Sequence, residues 1–174
     1  MVRDFDDNEF PLAYLVTFRC YGTWMHGDER GSMDRKHNVY GSPKIAPNQS
    51  LQRSDMKQRT HAPVRLDAKK RLIVEQAVKE VCDYRRYVLR AINVRTNHVH
   101  VVVTAAREPE PLLEAFKSYS TRALRRAGVI SQTLKPWIRH GSTIYLWKER
   151  DVAKAIEYVM LSQGDELFSL DGNE

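Results

Sequence analysis

The residues of this chain best placed to do chemistry are two histidines, His98 and His100, separated by one valine. They stand in the run Asn97-His98-Val99-His100-Val101-Val102-Val103, whose β-branched residues mark it as a strand. Residues i and i+2 of a strand leave the same face, so both imidazoles emerge side by side. Val99, Val101 and Val103 point the other way, where helices should pack. Two neutral imidazoles on a rigid strand make half of a divalent-metal site, which could polarise a phosphate or carbonyl oxygen for attack. Two unconnected histidines on a half-exposed sheet face would give the same pattern.

Such a site needs a nucleophile. No Ser-His-Asp, Cys-His or phosphate-loop pattern is present, which leaves tyrosine. Tyr119 shares a helical stripe with Leu112, Phe116 and Ala123, a spacing that favours burial. Tyr158 lies in the last helical segment, whose apolar stripe is Val152, Ile156 and Val159. It is displaced by roughly 160° from Ile156, so it can face away from that stripe and is the favoured nucleophile.

The elements around these residues follow from periodicity and punctuation. Residues 12–20 read as a first strand, and an irregular, Gly- and Pro-containing stretch follows over residues 21–63. Asp67 is a plausible N-cap for a helix running to about Arg86. Residues 88–95 alternate, with Val88, Ile92 and Val94 on one side and Leu89, Ala91 and Asn93 on the other; a tight turn then leads into the histidine strand. Pro109 and Pro111 introduce a helix over residues 112–127, ended by Gly128. Short extended pieces are expected around residues 137–139 and 143–147. A last helix starts near Asp151 and ends before Gly164. The order β–loop–α–β–β–α–β–α predicts an α+β, ferredoxin-like antiparallel sheet with helices on one face and a C-terminal tyrosine-bearing helix. One domain over residues 1–174 is expected, with an acidic tail at 165–174.

The chain is 20.2 kDa and carries 28 Lys and Arg against 22 Asp and Glu, a net charge of +6. Residues 112–150 alone hold eight bases and two acids, so the whole excess lies between the histidine strand and the tyrosine helix. A concentrated basic segment suggests a nucleic-acid partner, with Lys117, Arg122, Arg125, Arg126, Arg139 and Lys148 as candidate phosphate contacts. Trp24, Tyr40, Trp137 and Trp147 are candidate base-stacking surfaces. No apolar run reaches the ~18–20 residues that span a bilayer. The first ten residues hold Arg3 among Asp4, Asp6, Asp7 and Glu9, unlike a secretory signal. Cys20 and Cys82 read as reduced thiols. The expectation is a cytoplasmic, nucleoid-associated protein.

Over roughly residues 10–165 the chain resembles the single-tyrosine HUH transposases, the insertion-sequence 200-like group that includes the REP-associated tyrosine transposases. The resemblance rests on the strand at residues 14–19 and on Thr96-Asn97-His98-Val99-His100-Val101-Val102-Val103. It rests equally on Phe116-Lys117-Ser118-Tyr119-Ser120-Thr121-Arg122-Ala123-Leu124 and on the final tyrosine-bearing helix. It implies that His98 and His100 bind Mg²⁺ or Mn²⁺ and that Tyr158 attacks a phosphate of single-stranded DNA. The products would be a 5′-phosphotyrosine bond and a free 3′-OH. It implies hairpin-containing DNA as substrate and a homodimer as the acting form. The family places Gln or Asn four residues after the tyrosine as a third metal ligand. Here Ser162 holds that position and Gln163 follows, so Gln163 is the favoured third ligand, with Ser162 and His140 as alternatives. Two other readings stay open: a hairpin-binding protein of the same fold without cleavage, and a metal-dependent nuclease using water.

Overall fold

The computed structural model describes residues 9–23 and 60–161. Trp24, Tyr40, Ser162, Gln163, most of the irregular stretch and the acidic tail lie outside the described residues. Four strands, β1 (Ala13–Cys20), β2 (Val88–Val94), β3 (His98–Thr104) and β4 (Trp137–Leu146), form one antiparallel sheet in the order β2-β3-β1-β4. Three helices accompany it among the described residues: α1 (Ala68–Arg85), α2 (Pro109–Arg126) and α3 (Glu149–Leu161). The fold is α+β.

Local chemistry sets the helix ends. The Asp67 carboxylate accepts the Lys70 amide at 2.9 Å and caps the start of α1. Helix α2 begins at Pro109, three residues before the expected start. Prolines 109 and 111 sit in its first turn, where a missing N–H costs no hydrogen bond. Gly128, at φ 67°, follows its C-cap.

The sheet has two covered faces. Tyr14, Val16, Phe18, Val99, Val101 and Val103 pack against α1 and α2 through Val74, Val78, Leu112, Phe116 and Leu124. The opposite face meets α3, with Ala13, Leu15, Ala91 and Val102 under Ala155 and Val159. Helices α1 and α2 therefore share one face, and the tyrosine-bearing helix occupies the other.

Two irregularities alter the simple strand reading. In β2 the register shifts between Leu89 and Ala91. This bulge sends Leu89 to the α1/α2 core with Ile92 and Val94, while Ala91 and Asn93 stay on the α3 side. Strict alternation over residues 88–95 is therefore broken by one inserted residue. In β4 the two expected extended pieces are one strand, interrupted opposite Arg19: Phe18 pairs with Gly141 and Cys20 with Trp137. The carbonyls of Ile138, Arg139 and His140 in this bulge converge on the Lys117 ammonium at 3.0, 2.9 and 3.2 Å. Gly141 lies so close to β1 that a Cβ there would meet the Thr17 carbonyl oxygen at 2.6 Å.

Candidate active site

The histidine pair sits on the α3 face of a central strand. The imidazoles of His98 and His100 are edge to face, with ring centroids 4.6 Å apart. The antiparallel register places Asn93 and Thr17 on either side of His100, and Arg19 beside His98. Each histidine has a partner at Nδ1. That of His98 lies 2.6 Å from Asn97 Oδ1, and that of His100 lies 2.8 Å from Thr17 Oγ1. An amide oxygen only accepts, so His98 carries its proton on Nδ1 and its lone pair on Nε2. A Nδ1–H donated to Thr17 gives His100 the same tautomer. Such outer partners orient imidazoles that ligate a metal.

Electrostatics favour the neutral form at His100. Burial, aided by the neighbouring His98, Arg19 and Arg95, pushes its pKa down to about 3. At neutral pH it is an uncharged nitrogen donor. The donor set thus fits one half of a divalent-cation site, of a kind that suits Mn²⁺ or a softer ion as well as Mg²⁺. Among the described residues no third His, Cys, Asp or Glu joins the pair, and exposed His140 does not complete a set of three. Gln163, the expected third ligand, lies outside the described residues.

Helix α3 brings Tyr158 to this pair. Its ring centroid is 5.3 Å from that of His100, at an interplanar angle of 69°. Its spacing allows Tyr158 to face away from the Val152/Ile156/Val159 stripe, and in the structure it is partly buried at the flank of that stripe. The helix centres on Ala155 and Val159, which are fully buried, with Val152, Ile156 and Tyr158 partly buried against the same cluster. Small Ala155 lets the helix sit close to the sheet, and Tyr158, about 60° round from it, falls on the flank over the histidines. Asn93 Nδ2 donates to the Val159 carbonyl at 2.9 Å and ties this turn to β2. Asn93 is a positioning residue whose side of the strand periodicity gave but whose partner on α3 it did not, because that contact spans 66 residues of sequence.

Tyr119 lies elsewhere. It packs against the α1/α2 core on the opposite sheet face, with the Arg122 guanidinium 4.3 Å above its ring.

The basic residues divide by position. Lys117 is 6% exposed, and its ammonium is engaged by the three bulge carbonyls rather than offered to solvent. Burial lowers its pKa. Arg122 and Arg126 are exposed on α2, Arg125 is half-buried and donates to the Leu134 carbonyl at 3.0 Å, and Arg139 and Lys148 are exposed. The bases electrostatically coupled to His100 are instead Arg19 and Arg95. Neither stood out by composition, since they lie outside the basic segment. Pairing β1 with β3 would have identified Arg19. Of the aromatic candidates, Trp137 is buried against Phe18 and donates through Nε1 to Lys117 O and Thr121 Oγ1, and Trp147 stacks on Tyr145.

No known family profile and no curated protein matches the chain. Among the solved structures similar to it are two described as transposases. One is a REP-associated tyrosine transposase bound to a REP hairpin, at 11% identity and a TM-score of 0.45, covering 84% of this chain and 63% of that one. The chain thus spans less than two thirds of that protein's structure. The other is a candidate transposase from Deinococcus radiodurans R1, at 13% identity and a TM-score of 0.45, covering 91% of this chain and 95% of that one.

Proposed function

We propose that the chain cleaves and rejoins single-stranded, hairpin-containing DNA, with Tyr158 as nucleophile and a divalent cation held by His98 and His100. The carrying observation is the packing of the Tyr158 ring on His100 at 5.3 Å. Residues 58 positions apart in sequence, on separate elements, meet on one face of the sheet. Gln163, two residues beyond the end of α3, is the proposed third ligand.

A phenol of pKa about 10 is a weak nucleophile unless its proton leaves as it attacks. In the proposed reaction the Tyr158 oxygen forms a bond to phosphorus, and the bond from phosphorus to the 3′ oxygen breaks. The phenol loses one proton and the departing 3′ oxygen gains one, so the DNA is left with a 3′-OH and a 5′-phosphotyrosine. The bound cation supplies charge stabilisation at the phosphate. Thr17 and Asn97 hold the imidazoles in the ligating tautomer, Asn93 holds the tyrosine helix, and Arg19 and Arg95 supply positive potential for phosphate. A homodimer and a cytoplasmic, nucleoid-associated setting belong to the same reading. No helix among the described residues is long and apolar enough to cross a membrane.

The test is incubation of labelled hairpin DNA with the protein and Mn²⁺, followed by denaturing electrophoresis. A covalent adduct is expected, lost in Tyr158→Phe and retained in Tyr119→Phe. Cleavage without an adduct in Tyr158→Phe would replace this reading with the water-using nuclease. Salt-sensitive binding without cleavage would replace it with a binding protein.

A further inference from the structure

A cleft of about 380 Å³ lies between α2 and the residues leading into β4. Its lining includes Lys117, Thr121, Arg125, Lys135, Trp137 and Arg139, with Glu114 as the single acid. Four cations thus face one carboxylate. Among the described residues, no carboxylate comes within ion-pair distance of Arg125, Lys135 or Arg139. Arg125 donates through one terminal nitrogen to Leu134, but its buried Nε has no hydrogen-bond partner among the described residues. Arg125 is thus incompletely paired within the described residues, and its remaining terminal N–H groups are donors for an anionic oxygen in the cleft.

The walls of the cleft are built rather than incidental. Trp137 Nε1 donates to Lys117 O and Thr121 Oγ1, both at 3.1 Å, which fixes the start of β4 against α2. Lys117 gathers the three bulge carbonyls, that of Arg139 among them, and Arg139 lines the cleft beside it. Satisfying those carbonyls consumes the Lys117 donors while its charge stays at the back of the cleft.

The geometry points to a phosphate-binding site in this cleft, in which Arg125, Lys135 and Arg139 hold one phosphate group away from the histidines. Its position suggests the source. Cys20 pairs with Trp137, and Arg19, the preceding residue, pairs with His98. The cleft therefore lies at the histidine end of the sheet, around the β4 edge. Two strand spacings, about 10 Å, separate β3 from β4. A backbone phosphate of a strand laid on His98 would reach the cleft by passing this edge. That role as a second hold on the same strand rests on the proposed function, whereas the phosphate site itself does not.

The test uses Lys135→Ala/Arg139→Ala in a Tyr158→Phe background, so binding is read without cleavage. Affinity for a fluorescein-labelled single-stranded 20-mer is measured by anisotropy across a salt series. Loss of one phosphate contact lowers the slope of log affinity against log salt by about 0.7 and weakens binding about fivefold at 0.1 M salt. A Lys79→Ala/Arg85→Ala control on exposed α1 should leave both nearly unchanged. In parallel, inorganic phosphate alone is titrated calorimetrically into both proteins. A 20-mer effect confined to the cleft variant assigns the site to a nucleic-acid backbone. Phosphate binding lost in that variant without a 20-mer effect assigns it to a free phosphate. Equal effects from the control, or no effect in either arm, would overturn the site. Failure of covalent adduct formation would leave this result standing, because no step of the test depends on cleavage.

Discussion

Thr17 shows how much of the site rests on groups that do no bond making. Its hydroxyl lies 2.8 Å from His100 Nδ1, and the side chain is 8% exposed in the middle of β1. Thr17→Val keeps the shape and removes the partner. Outer partners of metal-bound histidines are typically worth 10–100-fold in metal affinity or activity. The expected outcome is a 10–100-fold rise in the Mn²⁺ concentration for half-maximal adduct formation, with little change in the rate at saturating Mn²⁺. An unchanged Mn²⁺ dependence would remove Thr17 from the account. Tyr158 teaches a related lesson. Its spacing singled it out, yet its direction came from the line of Ala155 and Val159 that is buried on the sheet, with Tyr158 on its flank. The histidines were legible because a two-residue spacing in a strand leaves no choice of face. Arg19 was not, because its nearness to His100 is a property of pairing between strands far apart in sequence, and Arg95, local in the β2–β3 turn, went unmarked because it lies outside the basic segment.

At the scale of elements, the two bulges do the positioning. The β2 bulge turns Leu89 into the α1/α2 core, while Asn93 beyond it faces α3 and holds the Val159 carbonyl. Asn93→Ala should cost only about 1 kcal/mol of stability, one net hydrogen bond. It should lower the rate of adduct formation more than that loss of stability implies, with Mn²⁺ dependence unchanged. A rate equal to wild type would show that α3 docks without this tie. The β4 bulge is held by Lys117 and by the close approach of Gly141 to β1. Gly141→Ala forces a Cβ to 2.6 Å from the Thr17 carbonyl oxygen and 2.8 Å from a Leu113 methyl. Overpacking of this kind costs typically about 1–3 kcal/mol, read by chemical denaturation. Because the clash falls on Thr17, reduced activity at saturating DNA should accompany it. Element order and the pairing of β2 with β3 were readable from periodicity. The bulges were not, since in a strand with apolar residues on both faces an extra residue is revealed only by cross-strand register.

Among the described residues the sheet is covered on both faces, by α1 and α2 on a structural side and by α3 on the side that carries the histidine pair. Cys20 and Cys82 belong to the structural side, and burial pushes both thiols up to about 12. They should resist iodoacetamide at pH 8 in the folded protein and react fully once it is unfolded. The same shift gives a pH dependence. Below pH 9 a thiol keeps its proton in both states and the stability is fully present. Above pH 9 the unfolded chain loses protons that the folded chain retains, so stability falls as pH rises toward 12. The fall is up to about 1.4 kcal/mol per pH unit for each thiol. Melting temperature should therefore decline between pH 9 and 11, and less steeply in Cys82→Ala than in wild type at matched starting stability. At this scale the charge excess in residues 112–150 divides. Arg122 and Arg126 are exposed on the helix side, Lys117 is internal, and Arg125, Lys135 and Arg139 gather in the cleft around the β4 edge.

The central claim is that the hydroxyl of Tyr158, and no other group, forms a bond to DNA. Peptide mapping by mass spectrometry of protein incubated with hairpin DNA and Mn²⁺, then treated with nuclease and protease, reads this directly. The account predicts a nucleotide mass on the peptide containing Tyr158 and none on the peptide containing Tyr119. A nucleotide on Tyr119, or cleaved DNA with no modified peptide, would contradict it.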